Sequence, residues 1–459
     1  MPHYHSPPSR RRFLMAAGGA MGLSALAPAV RGAEPSQPAP AGPWIDVPQR
    51  KLPVLAQADV VVCGGGTAGV AAACCAARHG AKVVLLERWP SVGGMATNAL
   101  VNIWHTSDRT RQVIFGFVQE VIERGGSFVH QMGHFPNRPE THWFDPEGMK
   151  VVLHDLLDHY KVQTLCNLTA VESIVDDGRV RGVLVDTKTG RKAVLGRIVI
   201  DATGDGDVAA NAGIPYDSGR DADGLVQGMT MMFCLCNVDT AAVRAAPPEK
   251  AVAVHEAMRR LRNAGKFPPF NEGAALHYLR TGRNHHPYNM TPAAGNPLDE
   301  AELTRLSIEA RRRVYQTVDF WRREMPGFAA AEVEQMGFGL GVRESRRIQG
   351  RKTLDGEMVV KAVKQPDAVG HGFWMIDIHD PKGTGYTTWT DQAASLMPPV
   401  GETYHIPLGM CLNSHIPNLA VVGRCASSTH EAHASVRLQS HCMVMGQGVG
   451  TAAALALQK

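Results

Sequence analysis

The sequence contains no cysteine arrangement typical of a metal centre or a redox-active disulfide. Its nine cysteines are scattered along 459 residues and form neither a Cys-x-x-Cys pair nor a Cys/His cluster at ligand spacing. This pattern argues against zinc, iron–sulfur clusters and dithiol chemistry. We therefore predict no metal site, and we expect most of the cysteines to pack as small apolar side chains.

A marked excess of charge of either sign is also lacking. The formal net charge of +4 arises from 47 basic and 43 acidic residues, and several of the basic ones lie at the extreme N-terminus. The rest of the chain is close to neutral, so no nucleic-acid partner is predicted. The length allows about two or three globular units, which suits an enzyme better than a small binding module.

Long apolar runs are missing outside the N-terminal region, so no membrane span is predicted in the mature chain. Residues 9–14 (SRRRFL) precede a weakly apolar, glycine-rich run that ends at Val30. This order is typical of a twin-arginine signal, with 1–33 as the signal peptide and 34–57 as a leader or linker. A basic anchor helix or tail is the alternative. We expect the twin-arginine export machinery to carry the folded, cofactor-loaded protein to the periplasm.

A glycine-rich loop between a predicted strand and a predicted helix is the strongest motif. Residues 58–63 (ADVVVC) are β-branched, and GGGTAG at 64–69 opens an alanine-rich helix. Gly64 permits a tight turn, Gly66 lets the backbone approach a pyrophosphate, and Gly69 allows close packing of helix on strand. The helix N-terminus supplies free N–H groups. The residues predicted to bind a dinucleotide here are Gly64, Gly66, Thr67, Ala68 and Gly69.

A second predicted strand, 82–86, ends in an acidic residue that favours binding of a ribose. Glu87 follows Gly69 by eighteen positions, where a carboxylate can accept hydrogen bonds from both ribose hydroxyls. The Gly-Gly loop at 91–97 comes directly afterwards and allows close approach to the flavin side of a longer dinucleotide, so FAD is preferred over NAD. The cofactor-binding residues predicted in this region are Glu87, Arg88, Gly93, Gly94, Met95, Ala96 and Thr97.

Two later segments extend the predicted dinucleotide site. Residues 162–175 and 180–186 predict a β-meander, and a buried strand at 197–200 ends in DATGDGD at 201–207. That loop lacks the glutamate of a calcium site. A short strand at 418–424 precedes a glycine-rich run that we expect to open the last helix at Gly446, with its N-terminus at the flavin pyrimidine edge. The cofactor-binding residues predicted here are Ala202, Thr203, Gly204, Gly423, Arg424, Gly446, Gln447, Gly448 and Gly450.

Together these stretches resemble the FAD-dependent oxidoreductases of the glutathione-reductase structural class, closest to the fumarate-reductase-like branch. The resemblance covers nearly the whole mature chain, and it also rests on FDPE at 144–147, RESRR at 343–347, DIH at 377–379 and YHIP at 404–407. It implies an α/β fold: a Rossmann-like FAD-binding domain, with a parallel sheet plus a β-meander and an inserted α+β domain. The discontinuous FAD-binding domain would comprise 58–213 and 401–459, and the substrate or cap domain 214–400.

The middle of the chain predicts two helices and a strand. Asp145 and Pro146 are an N-cap and a first helical residue, and an apolar stripe follows them. A second amphipathic pattern runs from Asp299 to Glu324. The apolar run at 227–237 suits a strand beneath the flavin ring.

Catalysis at a flavin requires a proton donor or acceptor near the flavin N5, and often an arginine to hold a carboxylate or enolate. His379 and His430 are the leading candidates for proton transfer, because both flank segments expected to approach the flavin. Arg346 and Arg437 are candidates for orienting a substrate, as is Arg343. Structural histidines and domain-joining salt bridges are the competing interpretations.

The predicted function is that of an FAD-dependent dehydrogenase or reductase. It would transfer a hydride between flavin N5 and a small organic substrate, with an external electron acceptor or donor, since cysteine-based redox motifs are absent. The alternatives are a flavin oxidase or monooxygenase that uses oxygen, and a non-catalytic flavin-binding partner subunit. The sequence does not distinguish covalent from non-covalent FAD.

Overall fold

The computed structural model describes residues 45, 50–108, 110–131, 141–271, 286–383 and 396–459. The predicted twin-arginine signal, 1–33, lies outside these residues. Within the described part of the chain, no helix combines the length and apolarity needed to cross a membrane.

Seventeen strands and ten α-helices make up the described part of the chain. The strands are β1 Val54–Cys63, β2 Val83–Glu87, β3 Ile103–His105, β4 Val129–Gln131, β5 Thr141–Phe144, β6 Gln163–Cys166, β7 Thr169–Asp176, β8 Arg179–Thr187, β9 Gly190–Asp201, β10 Tyr216–Ser218, β11 Met229–Cys236, β12 His286–Ala293, β13 Glu332–Met336, β14 Arg346–Ile348, β15 Ala368–Gly372, β16 Tyr404–Pro407 and β17 Leu419–Val421. The helices are α1 Thr67–Arg78, α2 Phe117–Gly125, α3 Pro146–His159, α4 Asp207–Asn211, α5 Thr240–Ala245, α6 Pro248–Asn263, α7 Glu300–Glu324, α8 Gly356–Val360, α9 His430–Val436 and α10 Gln439–Leu457.

A seven-stranded sheet forms the dinucleotide-binding part of the fold. Strands β6, β2, β1, β9 and β17 are parallel, and β7 and β8 continue from β9 as an antiparallel meander. The predicted combination of a parallel sheet and a meander is therefore confirmed. Strand β1 begins at Val54, four residues before the predicted start, because the long β9 offers a partner there and Val54 lies opposite Ala193. The end of the predicted leader is thus part of the sheet.

A second core lies beneath a smaller sheet in the middle of the chain. Strand β11 pairs with β12 and β13, and α7 covers this sheet with a buried stripe that includes Val314, Val318 and Trp321. The predicted N-cap is confirmed, since Asp145 accepts hydrogen bonds from two backbone N–H groups of α3. Asp299, the first residue of the second predicted pattern, also caps its helix and accepts a hydrogen bond from the Glu302 N–H. These caps start both helices where the sequence indicated.

The glycines of α10 have a different role from the one predicted. The helix begins at Gln439, so Gly446, Gly448 and Gly450 lie within it. A Cβ atom on Gly446 or Gly450 would lie 2.1 or 2.2 Å from a carbonyl oxygen of α1, and one on Gly448 would lie 2.6 Å from a Val369 side chain. These glycines are needed because two backbones approach closely, and they do not form a helix start.

Gln447 is also part of this structural contact. Its Oε1 accepts a hydrogen bond of 2.6 Å from the backbone N–H of Phe117, the first residue of α2. The predicted helix start at 446–450 is thereby corrected: the segment that includes Gly446, Gln447, Gly448 and Gly450 joins α10 to its neighbours.

Candidate active site

A cavity of about 360 Å³ opens at the carboxyl ends of the parallel strands. Residues just after β1, β2, β9 and β17 border it, which is where ligands bind in open α/β sheets. The rest of its wall comes from the small β3–β5 sheet, from β11 and β12, and from the chain around residues 374–379 and 434–442. The cavity therefore joins the nucleotide-type loops to the middle of the chain.

The glycine loop is shaped by close backbone contacts on two sides. Gly64 has a φ of +107°, and a Cβ there would lie 2.3 Å from the Ala202 carbonyl oxygen. A Cβ on Gly69 would lie 1.9 Å from the Gly64 carbonyl oxygen, so Gly69 supports the turn without bordering the cavity. At Gly66, in contrast, no heavy atom lies within 4 Å of the Cβ position. The loop is thus tight at its base and open at the N-terminus of α1.

Glu87 holds the glycine loop and also borders the cavity. Its Oε2 accepts a hydrogen bond of 2.6 Å from the Gly65 N–H, and its Oε1 accepts one of 2.8 Å from the Trp89 N–H. Burial raises the pKa of the Glu87 carboxyl, and these two hydrogen bonds offset part of the rise. Each oxygen of a carboxylate has a further lone pair, which can accept a hydroxyl from a ligand.

The Gly-Gly loop packs against the first glycine loop. The Gly93 N–H donates to the Gly65 carbonyl at 2.7 Å, and Gly94 and Met95 border the cavity. Thr97 supports the turn from inside, since its hydroxyl donates to the Val92 carbonyl at 2.8 Å. Gly93, Ala96 and Thr97 therefore shape the loop and do not border the cavity, although the sequence predicted that they bind the cofactor.

A buried carboxylate organises the loop that follows β9. Asp201 accepts hydrogen bonds from the Thr203 N–H and hydroxyl and from the Ala209 N–H, at 3.0, 2.7 and 2.8 Å. Burial raises the pKa of Asp201 to about 6. These bonds leave Ala202, Thr203 and Gly204 on the cavity wall, together with Gly423 and Arg424 after β17. The predicted residues of these two segments thus come together in space.

Arg424 is a half-buried cation in this part of the cavity wall. Its Nη2 lies 2.7 Å from Asp205 Oδ1, and its Nη1 donates to the Ser345 hydroxyl at 2.9 Å. Arg88 also borders the cavity. Both guanidinium groups are placed to attract an anionic ligand.

A charged cluster forms the part of the wall that comes from the middle of the chain. Arg343, Asp377, His379 and Arg437 all border the cavity. His379 Nε2 lies 3.7 Å from Asp377 Oδ2, and Arg437 Nη2 donates to the Asp377 carbonyl at 2.9 Å. Arg343 Nη1 donates to the Gly228 carbonyl at 2.6 Å. These contacts fix two cations and an imidazole around one carboxylate.

Burial and charge keep the imidazole of His379 neutral. Burial, and then the positive charge of Arg343, lower the pKa of His379 from its ordinary 6.5 to about 3. Burial alone would raise the pKa of Asp377, but His379, Arg437 and Arg343 outweigh it and hold that pKa below its usual range. The cluster at neutral pH therefore contains one carboxylate, two guanidinium groups and a neutral histidine.

An aromatic wall borders the same cavity and was missed by the sequence analysis. It consists of His105, Trp143 and Trp374. The His105 and Trp374 rings stack with centroids 4.3 Å apart and an interplanar angle of 27°. The sequence signal was the alternation in β3 and β5, which places Ile103, His105 and Trp143 on the cavity while Trp104 and Phe144 pack in the core.

The N-terminus of α10 also reaches the cavity, through Leu438, Gln439 and Cys442. Gln439 Nε2 donates to the Val101 carbonyl at 2.6 Å, while its Oε1 accepts from Trp104 Nε1 at 2.9 Å. The predicted helix N-terminus therefore exists at the site, but it lies at 438–442 and not at 446–450.

Comparison with known families decides the class of enzyme. The family described as FAD dependent oxidoreductase matches residues 59–459. The chain belongs to this family. It is an FAD-dependent oxidoreductase with FAD as its cofactor, as the sequence predicted.

Solved structures that resemble this FAD-dependent oxidoreductase are distant. THI4 from Thermovibrio ammonificans is 21% identical, over 36% of this chain and 66% of that chain, with a TM-score of 0.28. A geranylgeranyl bacteriochlorophyll reductase-like protein from Thermoplasma acidophilum is 13% identical, over 88% and 79%, with a TM-score of 0.43. L-amino acid deaminase from Proteus vulgaris is 12% identical, over 86% and 91%, with a TM-score of 0.39. Likeness at this level carries no argument about substrate.

The residues around the cavity fit FAD. The open space at Gly66, between glycines whose Cβ positions are filled, is a cradle for a pyrophosphate at the start of α1. The Gly66 N-cap makes no side-chain hydrogen bond, so the first N–H groups of the helix can donate to phosphate oxygens. Glu87 would hold the ribose and Arg424 would add positive charge.

Two of the predicted catalytic residues of the FAD-dependent oxidoreductase do not border the cavity. His430 Nδ1 lies 2.9 Å from Glu344 Oε2, within a buried ion-pair cluster. Arg346 Nη1 lies 2.9 Å from Asp207 Oδ1 and packs over the Tyr216 ring. Strand β14 begins at Arg346 and pairs with β10, whereas Arg343, three residues earlier, borders the cavity.

Proposed function

We propose that this FAD-dependent oxidoreductase transfers a hydride between flavin N5 and a small organic anion. The observation that carries the proposal is that His379, Arg343 and Arg437 border the same cavity as the glycine loop. A proton acceptor beside two cations is the arrangement that the oxidation of a carboxylate- or enolate-bearing substrate requires. FAD, when bound, supplies or accepts the two electrons.

Arg343 and Arg437 would hold the anionic group of the substrate. Both guanidinium groups already have hydrogen bonds to backbone carbonyls, of 2.6 Å for Arg343 and 2.9 Å for Arg437, so they are fixed before a ligand arrives. A bound anion would also offset the positive charge that lowers the pKa of His379. Binding of the substrate would thereby make the imidazole a better proton acceptor at the moment it is needed.

In the oxidative direction the substrate loses a hydride from carbon and a proton. His379 takes the proton at its imidazole, and an external acceptor removes the two electrons afterwards. In the reductive direction the same imidazole returns the proton. Neither direction requires a group other than FAD, the external partner and the residues named.

The purified protein tests this proposal through its flavin spectrum. We expect bound FAD, and we expect one or more small organic anions to bleach it without oxygen, or to reoxidise it after dithionite reduction. His379→Asn should keep the flavin and slow that reaction by about 10²–10⁴-fold. A protein that contains no flavin and takes up none, or a variant that reacts as fast as the parent, would refute the proposal.

Release of hydrogen peroxide during turnover would identify oxygen as the acceptor, as in the oxidase alternative. A flavin that no anion bleaches, on a protein that purifies with a stable partner, would instead favour the non-catalytic subunit.

We also propose that the protein is exported through the twin-arginine pathway. The support is the SRRRFL sequence at 9–14. Replacing Arg10 and Arg11 together by lysine should leave the protein in the cytoplasm, as cell fractionation would show. Unchanged export of this double variant would contradict the proposal.

A further inference from the structure

One face of the small β3–β5 sheet presents flat side chains to the cavity. In this antiparallel pair Ile103 lies opposite Trp143, and His105 lies opposite Thr141. Because alternate residues of a strand point to opposite faces, Ile103, His105 and Trp143 share the cavity side. His105 Nδ1 lies 3.0 Å from the Thr141 hydroxyl, which fixes the plane of its ring.

Trp374 extends this aromatic wall towards the charged cluster. Its ring stacks on His105, and only 8% of the residue is exposed, on the cavity. The Ser435 hydroxyl donates to the Trp374 carbonyl at 2.6 Å, and Arg437 donates to the Asp377 carbonyl three residues later. The segments 374–379 and 435–437 therefore carry both the Trp374 indole and the charged groups.

The aromatic wall belongs to the substrate part of the cavity because of these connections. Trp374, Asp377 and His379 lie on one stretch of chain, whereas the nucleotide cradle comes from the loops after β1, β2 and β9. Trp143 is 4% exposed and borders the same cavity. An aliphatic chain can bury apolar area against two indoles and an imidazole, while a flat conjugated group can bury the same area and also stack on the rings.

We infer that the substrate is an aromatic or conjugated carboxylate, whose planar body packs against Trp143, Trp374 and His105 while Arg343 and Arg437 bind its anionic group. This inference rests on the proposed function and specifies its substrate class. Polar groups and flat apolar groups on neighbouring parts of one cavity fit a ligand that has both.

Cinnamate is a suitable probe because it joins a planar ring to a carboxylate. The holoenzyme would be titrated with cinnamate, hexanoate, succinate and cinnamyl alcohol, and binding followed by the change in flavin absorbance and in tryptophan fluorescence. We expect cinnamate to bind at least about tenfold more tightly than each of the others. Equal Kd values for cinnamate and hexanoate would overturn the inference.

Substitutions test whether the aromatic wall causes the preference for cinnamate. Trp374→Leu should weaken cinnamate binding by about tenfold and change hexanoate binding by less than about twofold, whereas Trp374→Phe should retain most of the preference. Arg343→Met should weaken both carboxylates and leave cinnamyl alcohol unaffected. FAD content and thermal unfolding would confirm that each variant is folded.

The outcomes separate this inference from the proposed function. If aliphatic anions bleach the flavin and cinnamate has no advantage, the reaction stands and the aromatic assignment fails. If cinnamate binds tightly through Trp374 but no anion bleaches the flavin, the binding assignment stands and the proposed reaction fails. Loss of the cinnamate preference in Trp374→Phe as well as in Trp374→Leu would argue against ring stacking.

Discussion

Replacing Arg343 by methionine should raise the pKa of His379. The guanidinium group borders the same cavity, and its positive charge is the second-largest cause that lowers this pKa, after burial. At an effective dielectric constant of about 20, Coulomb's law gives on the order of 2 kcal/mol for a neighbouring unit charge, or about one and a half pKa units. From about 3, the pKa of His379 would therefore rise to between 4 and 5. Burial, which the substitution leaves in place, keeps it below 6.5.

The pKa can be measured by NMR on protein labelled with ¹⁵N-histidine, with His379→Asn to assign the signal. Arg346→Met is the matched control, because Arg346 pairs with Asp207 and does not border the cavity. This control should leave the pKa of His379 unchanged. A pKa that stays the same or falls in Arg343→Met, or that rises equally in both variants, would refute the electrostatic argument.

Three further results are expected. Glu87→Gln should raise the Kd for FAD by about tenfold, measured by flavin release, because an amide cannot accept both backbone hydrogen bonds. Gly450→Ala should lower the free energy of unfolding by about 1 to 3 kcal/mol, because its Cβ would lie 2.2 Å from a backbone oxygen. The control Gly339→Ala, with no atom within 4 Å of its Cβ position, should lower it by less than about 0.5 kcal/mol. Equal effects of the two substitutions would contradict the packing argument. Burial lowers the pKa of His433 and of His441 to about 3. The free energy of unfolding should therefore fall as the pH drops from about 6.5 towards 3, by roughly 2 to 3 kcal/mol for each histidine at about pH 4.5. Urea unfolding of His441→Asn should show a smaller loss over this pH range than the parent protein shows.

Local motifs were predictable from the sequence because their chemistry depends on neighbouring residues. The spacing of Gly64, Gly66 and Gly69 specifies a turn, an opening and a close contact, and the structure has each of them. Asp145 and Asp299 cap their helices for the same reason. Cavity residues that come directly after a strand could therefore be named in advance.

Contacts between distant segments were not predictable in this way. Glycines four positions apart, as at 446 and 450, are as suitable for close helix packing as for a helix start, and only the position of α1 distinguishes the two. Whether Arg343 or Arg346 borders the cavity depends on where β14 begins. The aromatic wall unites three segments, and nothing local to Trp374 indicates its stacking on His105.

The contact between α1 and α10 has a consequence for biosynthesis. Gly446 and Gly450 lie against carbonyl oxygens of a helix that a ribosome makes some 380 residues earlier, and β17 completes the parallel sheet almost as late. Loops this long close slowly compared with local structure. Until translation is almost finished, the flavin has only a partly assembled pocket to enter. Cofactor loading would then follow synthesis, and a truncation that removes α10 would harm it as surely as damage to the glycine loop.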